Sequence, residues 1–398
     1  MYSYPGRNQM KKIDVIVKYF YPLAAGIEIN VRNVYKHMVS HGWDVTIHTS
    51  TDMPEAKNSL PVIDHLDGMN IHRYPWRWYG FVPRIDWAHT PAIALHNFNI
   101  FPHSWLLIIV LIRRTLGMSS PKVFLTPHGG FTPEWRTFSP LSRFIKKTYQ
   151  EILGVHLINA AVDGLRSVSD WEAVESIKHG MRPDIIHIIH NGLEREVYTQ
   201  IEKLANQVTT DQVRKLGRYL IQIGRIHPIK NQATGIKALK HLPQDIQFVI
   251  IGPVTDPEYK KSLDLLISQL GLFDRVHFLG VISGVNKYYW LRHSVVNVHM
   301  ALWESYCNVI HESMSQGCVC IVSRGTALEE LIKDKINGFC VPEYDEVSVA
   351  DAVKYILDSS HARQILAMRK RNTDFTRGHS WQNISLQVEK MYTTALGS

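Results

Sequence analysis

An α/β architecture of two domains, each built on a doubly wound parallel sheet, follows from three features of the sequence. The chain has 398 residues, more than one hydrophobic core usually serves. Near its start an apolar run, a small-residue loop, a helical stretch and a second apolar run succeed one another. That is the strand–loop–helix–strand unit of a parallel sheet. The same unit begins afresh at residue 219, after a polar connection. The expected division is a first domain over 1–200, a second over 201–375 and a terminal segment over 376–398.

Residues 1–10 read as an untidy leader, and Met10 could be a native start. Lys12 to Tyr19 suits a buried first strand. Tyr21-Pro22-Leu23-Ala24-Ala25-Gly26 is the loop. A helix is expected from about Ile27 to His41, burying Ile29, Val31, Val34, Tyr35 and Met38. Gly42 ends it, and Asp44 to Thr49 is the second strand. Such sheets bind ligands at the loop after strand one, although a glycine there often serves only the turn.

Residues 50–104 look irregular and rich in Pro, Trp and His, and long loops of this kind tend to be functional or mobile. Helical character returns over 104–116. Lys122 to Leu125 is a short strand running into Thr126-Pro127-His128-Gly129-Gly130. His128 thus stands at a strand's carboxyl end, placed to face a crevice, with a purely structural histidine as the competing reading. Arg136 to Gly154 is expected to be helical, Gly164 to Ser169 and Ile185 to Ile189 to be strands, and Asn191-Gly192 to be a turn.

Residues 194–217 read as a connection. Tyr219 to Ile223 is then a strand, Gly224 to Asn231 a loop carrying Arg225 and Lys230, and Asn231 to His241 a helix. Gln247 to Ile251 and Val276 to Leu279 are strands on either side of a helix from about Pro257 to Leu270. Neither the P-loop pattern nor the full dinucleotide glycine fingerprint is present.

Glu304 and Glu312 stand eight residues apart, with apolar residues at helical spacing between and after them and Gly317 where a helix-ending glycine belongs. Glu304 is expected just before a helix and Glu312 within it. Such a pair suits two acceptors gripping hydroxyl groups of one elongated ligand; two solvated helix charges are the plainer alternative. Arg225 and Lys230, at a strand's carboxyl end, can hold a diphosphate by a fork and a point charge. The amino end of the helix after Tyr306 adds oriented N–H groups. A leaving nucleoside diphosphate would then be stabilised without a metal, and the chain lacks an Asp-any-Asp triplet of the sort that carries a divalent ion to a sugar nucleotide.

The apolar share of 45 % and charged share of 20 % are those of an ordinary globular protein. The net charge of +8 is concentrated: ten Lys and Arg face only Asp86 and Glu134 between Arg73 and Lys147, where five of the ten Trp also lie. Basic residues mixed with aromatics suit an anionic membrane surface, best at Arg143, Lys146 and Lys147 beside Leu141, Phe144 and Ile145. The first 20 residues hold no apolar signal core, so a cytoplasmic location, at the inner face of the membrane, is expected. Of the four cysteines, Cys318 and Cys320 are expected on opposite strand faces, which favours buried reduced thiols over a zinc site.

Taken together, Ala25-Gly26-any-Glu28, His128-Gly129, Ser167-Val168-Ser169, Asn191-Gly192, Gly224-Arg225 with Lys230, Glu304 with Glu312, Glu330-Leu331-Ile332 leading to Asn337-Gly338-Phe339, and His379-Ser380-Trp381 resemble the family-four retaining glycosyltransferases of the GT-B fold. The resemblance covers nearly the whole chain; the glutamate pair with the upstream Arg and Lys is its specific part. It implies two Rossmann-like domains facing a central cleft, with the last helix crossing back to the first domain. It implies that Arg225 and Lys230 bind the donor diphosphate, that Gly26 approaches the phosphate or the acceptor, and that Glu312 binds the ribose. Glu304 would contact the donor sugar, His128 would lie beside it, and Ser305, Tyr306, Cys307 and Asn308 would form the donor loop. It implies retention of configuration by front-face substitution, with the donor phosphate taking the acceptor's proton. Ala25 stands where the family commonly has glycine, and the family often has glycines near Ser305 and Cys307.

The expected activity is metal-independent transfer of a hexose from a nucleoside-diphosphate sugar, UDP-sugar before GDP-mannose, to a glycan or lipid-linked acceptor at the cytoplasmic membrane face. No cofactor is expected beyond the sugar nucleotide as co-substrate. Two rivals remain: a non-catalytic sugar-nucleotide binder, and a single-stranded nucleic-acid binder using the face 73–147. The second leaves Arg225, Lys230, Glu304 and Glu312 without a role, so no nucleic acid is expected.

Overall fold

The structure is a computed structural model that describes residues 11–23, 26–52, 60–97, 101–131, 135 and 138–397. The leader 1–10, with Met10, and Ala24 and Ala25 of the first loop lie outside the described residues. The chain forms two compact units, Met1–Gly192 with Trp381–Ser398, and Leu193–Ser380. The divisions therefore fall earlier than 200/201 and later than 375/376. Leu193 is already tied to the second unit, its N–H donating to the His379 carbonyl at 2.7 Å, and Leu193, Val197 and Ile201 are buried in that unit's core.

In the first unit the strands are β1 (Lys12–Ile16), β2 (Asp44–Ser50), β3 (Ile63–Leu66), β4 (Met69–Tyr74), β5 (Ala92–His96), β6 (Lys122–Thr126), β7 (Gly164–Ser167) and β8 (Ile186–Ile188). Their order is β3-β4-β2-β1-β5-β6-β7-β8, parallel except for the β3–β4 pair. Strand order reverses direction between β1 and β5, the place where doubly wound sheets open a binding crevice. Three of these strands lie in the stretch expected to be irregular. Asp67 and Gly68, at φ 50° and 79°, make the tight turn between β3 and β4, and an Asp-Gly pair is a hairpin signal legible in sequence.

Alternation along β5 and β6 supplies two cores. Ile93, Leu95, Val123 and Leu125 face one, while Ala92, Ala94 and Phe124 face the other. The helix Gly26–Ser40 buries Val31, Val34, Tyr35 and Met38 as expected, but Asn30 and Asn33 in place of Ile29. The closing helix, Trp381–Leu396, adds Trp381, Ile384, Val388, Met391 and Tyr392 to the same core, so the return of the terminal helix to the first unit is observed. Its Glu389 accepts from Trp43 Nε1 at 2.9 Å and pairs with Lys11 at 3.0 Å. Pro140–Thr148 is a helix with no buried residue, followed by a π-helical turn, Tyr149–Gly154, and the helix Val155–Ala161.

The second unit carries β9 (Tyr219–Ile223), β10 (Gln247–Ile251), β11 (Val276–Phe278), β12 (Val296–His299), β13 (Cys320–Ser323) and β14 (Phe339–Val341). All pairs are parallel, in the order β11-β10-β9-β12-β13-β14, so the reversal falls between β9 and β12. The stretch read as a plain connection holds a helix, Gln207–Leu216, capped by Asn206, which accepts from Thr209 N at 2.8 Å. Cys318 and Cys320 do not diverge as expected: residues two apart on an extended chain share a face, and Cys320 Sγ donates back to the Cys318 carbonyl at 3.9 Å. All four cysteines are free thiols, those at 318, 320 and 340 buried.

Candidate active site

Two loops leave the second unit's sheet at the reversal point. The first follows β9 and carries Arg225 and Lys230; the second follows β12 and carries Glu304. Leu302 N–H donates to the Ile229 carbonyl at 2.8 Å and joins them. Gly252, after β10, supports the first from below. A Cβ there would come within 2.1 Å of the Gly224 carbonyl oxygen, so only glycine lets the two strand-end turns approach this closely. Gln222 Nε2 donates to the Lys230 carbonyl at 2.7 Å and Gln232 Nε2 to that of Arg225 at 2.9 Å, which fixes the backbone at both basic residues. The Arg225 side chain is exposed.

Lys230 Nζ bonds Glu304 Oε1, and His299 Nε2 lies 2.9 Å from the same oxygen. Burial pushes the Glu304 carboxyl up, but the Lys230 charge and the His299 hydrogen bond outweigh it and hold it down at about 2. Glu304 is therefore a carboxylate at neutral pH, a buried acceptor at the end of β12. Cys307 Sγ lies 3.4 Å from His299 Nε2.

The helix expected around Glu312 runs Asn308–Ser315, so Glu304 precedes it and Glu312 lies inside it. Gly317, at φ 70°, ends it, and Cys318 N–H donates back to the Ser313 carbonyl at 3.0 Å. Cys307 caps the amino end in a left-handed conformation, φ 72°, which glycine enters freely and a cysteine does not. The first-turn N–H groups of any α-helix have no intrahelical acceptors, so this helix end is a donor-rich place. Ser305 and Asn308 are half-buried at this end, whereas the Tyr306 side chain is 2 % exposed and turned into the fold, its hydroxyl 3.1 Å from His311 Nδ1. Glu312 Oε1 pairs with Lys287 at 2.8 Å, and its Oε2 is buried with no hydrogen-bond partner among the described residues.

In the first unit, Gly26 opens the helix after β1, and a Cβ there would meet nothing within 4 Å. His128 follows β6 at φ 51°. The turn is fastened by the buried Glu172, whose carboxylate accepts from Gly129 N–H and, at 2.8 Å, from Val168 N–H. His128 Nε2 lies 3.0 Å from His96 Nδ1; His96 Nε2 lies 2.9 Å from the Tyr35 hydroxyl, itself 2.8 Å from that of Tyr392. Burial, then the Arg166 charge, pushes His128 down to about 3, and burial holds His96 well below the usual histidine range. Both rings are neutral at neutral pH. Arg166 is 1 % exposed and is satisfied by the carbonyls of Ile189 and His190 and by Asn30 and Asn191. The sequence reading missed His96, Glu172, Arg166 and Lys287 in the first and second units, and His299 beside Glu304. His96 and His299, each at the carboxyl end of a short apolar run, carried a local signal.

Parallel sheets that reverse at β1/β5 and β9/β12 make this a chain of two doubly wound α/β units, each with a strand-end crevice of the ligand-binding kind. The chain belongs to the glycosyltransferases: residues 209–373 match the family of glycosyl transferases group 1, and residues 24–197 match glycosyltransferase family 4. It is 25 % identical over 403 residues to an uncharacterized glycosyltransferase of Methanocaldococcus jannaschii, covering 96 % of this chain and 98 % of that one. A D-inositol 3-phosphate glycosyltransferase of Xylanimonas cellulosilytica is 24 % identical over 251 residues, and the match spans 61 % of this chain but only 60 % of that protein's length. Among solved structures, Anabaena HepE in complex with UDP and glucose superposes with a TM-score of 0.75 at 16 % identity, over 96 % of this chain and 100 % of that one. The GT-B fold follows.

Proposed function

We propose that the chain transfers a hexose from a nucleoside-diphosphate sugar to an acceptor hydroxyl with retention of configuration and without a metal. The observation that carries this is the convergence, at the β9/β12 reversal, of Arg225, Lys230, the carboxylate of Glu304 and the amino end of the helix Asn308–Ser315. Arg225, Lys230 and the helix N–H groups meet the charge of the leaving diphosphate. Glu304, ionised because its own partners are basic, accepts from hydroxyls of the transferred sugar. The open Oε2 of Glu312 accepts from the ribose. The anomeric carbon–phosphate oxygen bond breaks as the acceptor oxygen bonds the same face, and the acceptor proton passes to the departing phosphate oxygen. Gly26 and His128 serve the acceptor unit. A UDP-sugar is the favoured donor, supported by the UDP held by the Anabaena protein, with GDP-mannose next.

The acceptor is a lipid-linked or polysaccharide precursor at a membrane surface. The helix Pro140–Thr148 and the turn after it supply the support: Leu141, Phe144, Ile145 and Ile152 are 57–69 % exposed beside Arg143, Lys146 and Lys147. No helix among the described residues is long and apolar enough to cross a membrane. Flotation with anionic liposomes at low salt is expected to carry the protein, and Phe144→Glu with Ile145→Glu to abolish it. A protein that stays at the bottom of the gradient removes the membrane part.

The donor assignment is tested by thermal shift with UDP, GDP, ADP and their sugar conjugates, with and without Mg²⁺. A ligand at about a hundred times its dissociation constant adds roughly 2.7 kcal/mol of stability. One nucleotide is expected to stand out, equally without metal, and Arg225→Ala to erase its shift. Silence across the panel would move the weight to a protein without a donor site.

A further inference from the structure

His299 Nε2, a Glu304 carboxylate oxygen and Cys307 Sγ all lie within 4.8 Å of one another, and all three residues belong to the second unit. The separations are 2.9 Å from imidazole to carboxylate and 3.4 Å from thiol to imidazole. Ligand atoms around a tetrahedral zinc, at about 2.0–2.3 Å from the ion, sit roughly 3.3–3.6 Å apart. Small side-chain adjustments therefore separate the observed cluster from a coordination shell. The donor set, one sulfur, one imidazole nitrogen and one carboxylate oxygen, suits zinc or cobalt and not magnesium or calcium.

We propose that His299, Glu304 and Cys307 form a binding site for a soft divalent cation, zinc foremost, and that the bound ion competes with the sugar-nucleotide donor. The competition rests on the donor reading given above; the site does not. On binding, the Cys307 thiol releases its proton to solvent and the sulfur–metal bond forms. The His299 ring, whose Nε2–H donates to the Glu304 carboxylate in the metal-free protein, must change tautomer: the Nε2 proton leaves to solvent, Nδ1 takes one up, and the freed Nε2 lone pair binds the ion. That Nδ1 is buried with no partner among the described residues, so the site lacks the outer hydrogen bond that strengthens a dedicated zinc ligand. It is a site for an inhibitory or regulating ion rather than a structural one. The carboxylate of Glu304 is drawn to the metal, and Lys230 loses the partner that holds it in place. Donor sugar and donor phosphate then lose an acceptor and a positioned cation together.

Titration of the full chain with Co²⁺ tests this without any activity measurement. The expected result is a sulfur-to-cobalt charge-transfer band that Zn²⁺ displaces, that Mg²⁺ does not, and that Cys307→Ser abolishes. Loss of an outer-shell partner alone weakens metal sites about 10–100-fold, so His299→Gln is expected to weaken binding at least about tenfold. Circular dichroism and the thermal midpoint establish that each variant is folded, and His299→Gln carries the test if Cys307→Ser is not. Absence of the band, or a band unchanged in Cys307→Ser or His299→Gln, overturns the site. Zinc is further expected to weaken UDP-sugar binding to the native protein but not to Cys307→Ser, a comparison that cancels chelation by the nucleotide. A normal cobalt band with no such difference overturns the competition alone, and a protein that binds cobalt but no nucleotide overturns the donor reading.

Discussion

At the scale of single residues, Glu304 is held by two basic partners in a buried place. Removing Lys230 strands a buried carboxylate, and breaking a buried pair from one side costs about 3–5 kcal/mol. Lys230→Met is thus expected to lower the urea midpoint sharply as well as weaken donor binding, and an unchanged midpoint would mean that the pair is not buried in solution. Carboxylate and imidazole give two different pH dependences. Glu304 is depressed from 4.5 to about 2, so its stabilising share is complete above about pH 4.5 and is lost as pH falls towards 2. His96 and His128 are depressed from 6.5, so the unfolded chain binds protons that the fold refuses, and their share is lost as pH falls below about 6.5. The urea midpoint of the first unit, read by limited proteolysis, is expected to fall as pH drops below about 6.5, and a midpoint flat down to pH 4.5 would mean that the two rings are protonated in the fold as readily as in the unfolded chain. Cys307 adds a third case. Its left-handed backbone costs a side-chain-bearing residue roughly 1–2 kcal/mol, and glycine gives back about 0.5–1 in chain entropy, so Cys307→Gly is expected to stabilise the protein by under about 1.5 kcal/mol.

At the scale of elements, the loops after β9 and β10 depend on a backbone contact that no side chain can share. Gly252→Ala is expected to force the Gly224 turn away and to abolish the nucleotide thermal shift along with several kcal/mol of stability, on the order of a severe core lesion. Gly26→Ala makes the opposite case. It meets nothing within 4 Å and sits at ordinary backbone angles at a helix start, so the melting temperature is expected to hold. A fall in transfer rate with an unchanged melting temperature then reports a substrate that approaches the helix end; an unchanged rate removes Gly26 from the site. The strand and helix reading went furthest where local pattern and burial agree. Tyr219–Ile223, Gln247–Ile251 and Pro257–Leu270 fall where the sequence places them, because each is bounded by glycine or proline and is either a short apolar run buried on both faces or an amphipathic helix of ordinary length. It failed at β5, whose five residues are all buried yet too short to separate from the Pro- and Trp-rich run before them.

At the scale of the whole molecule, the closing helix is part of the first unit's core. Five of its large side chains, Trp381, Ile384, Val388, Met391 and Tyr392, are buried there. At about 1.5–3 kcal/mol for each, their burial rivals the entire stability of a domain. Truncation after Ser380 is expected to leave the first unit open to protease while the second resists; equal resistance of both would show that the helix is dispensable.

Chain length, the restart of the strand–loop–helix pattern and the spacing of Arg225, Lys230, Glu304 and Glu312 were enough to determine two doubly wound sheets and to single out the loops on which the proposed function rests. These are local properties, set by side-chain period and by glycine at strand ends. The tertiary structure alone decided that His299 and Lys230 share one oxygen of Glu304, that Lys287 takes half of Glu312, that His96 backs His128, and that the units divide at Gly192 and Trp381. Except for His299, five residues from Glu304, each of these pairs joins residues 25 or more positions apart. Their partners are chosen by how strands order themselves in a sheet and by which charges the folded core must satisfy, and no local pattern encodes either.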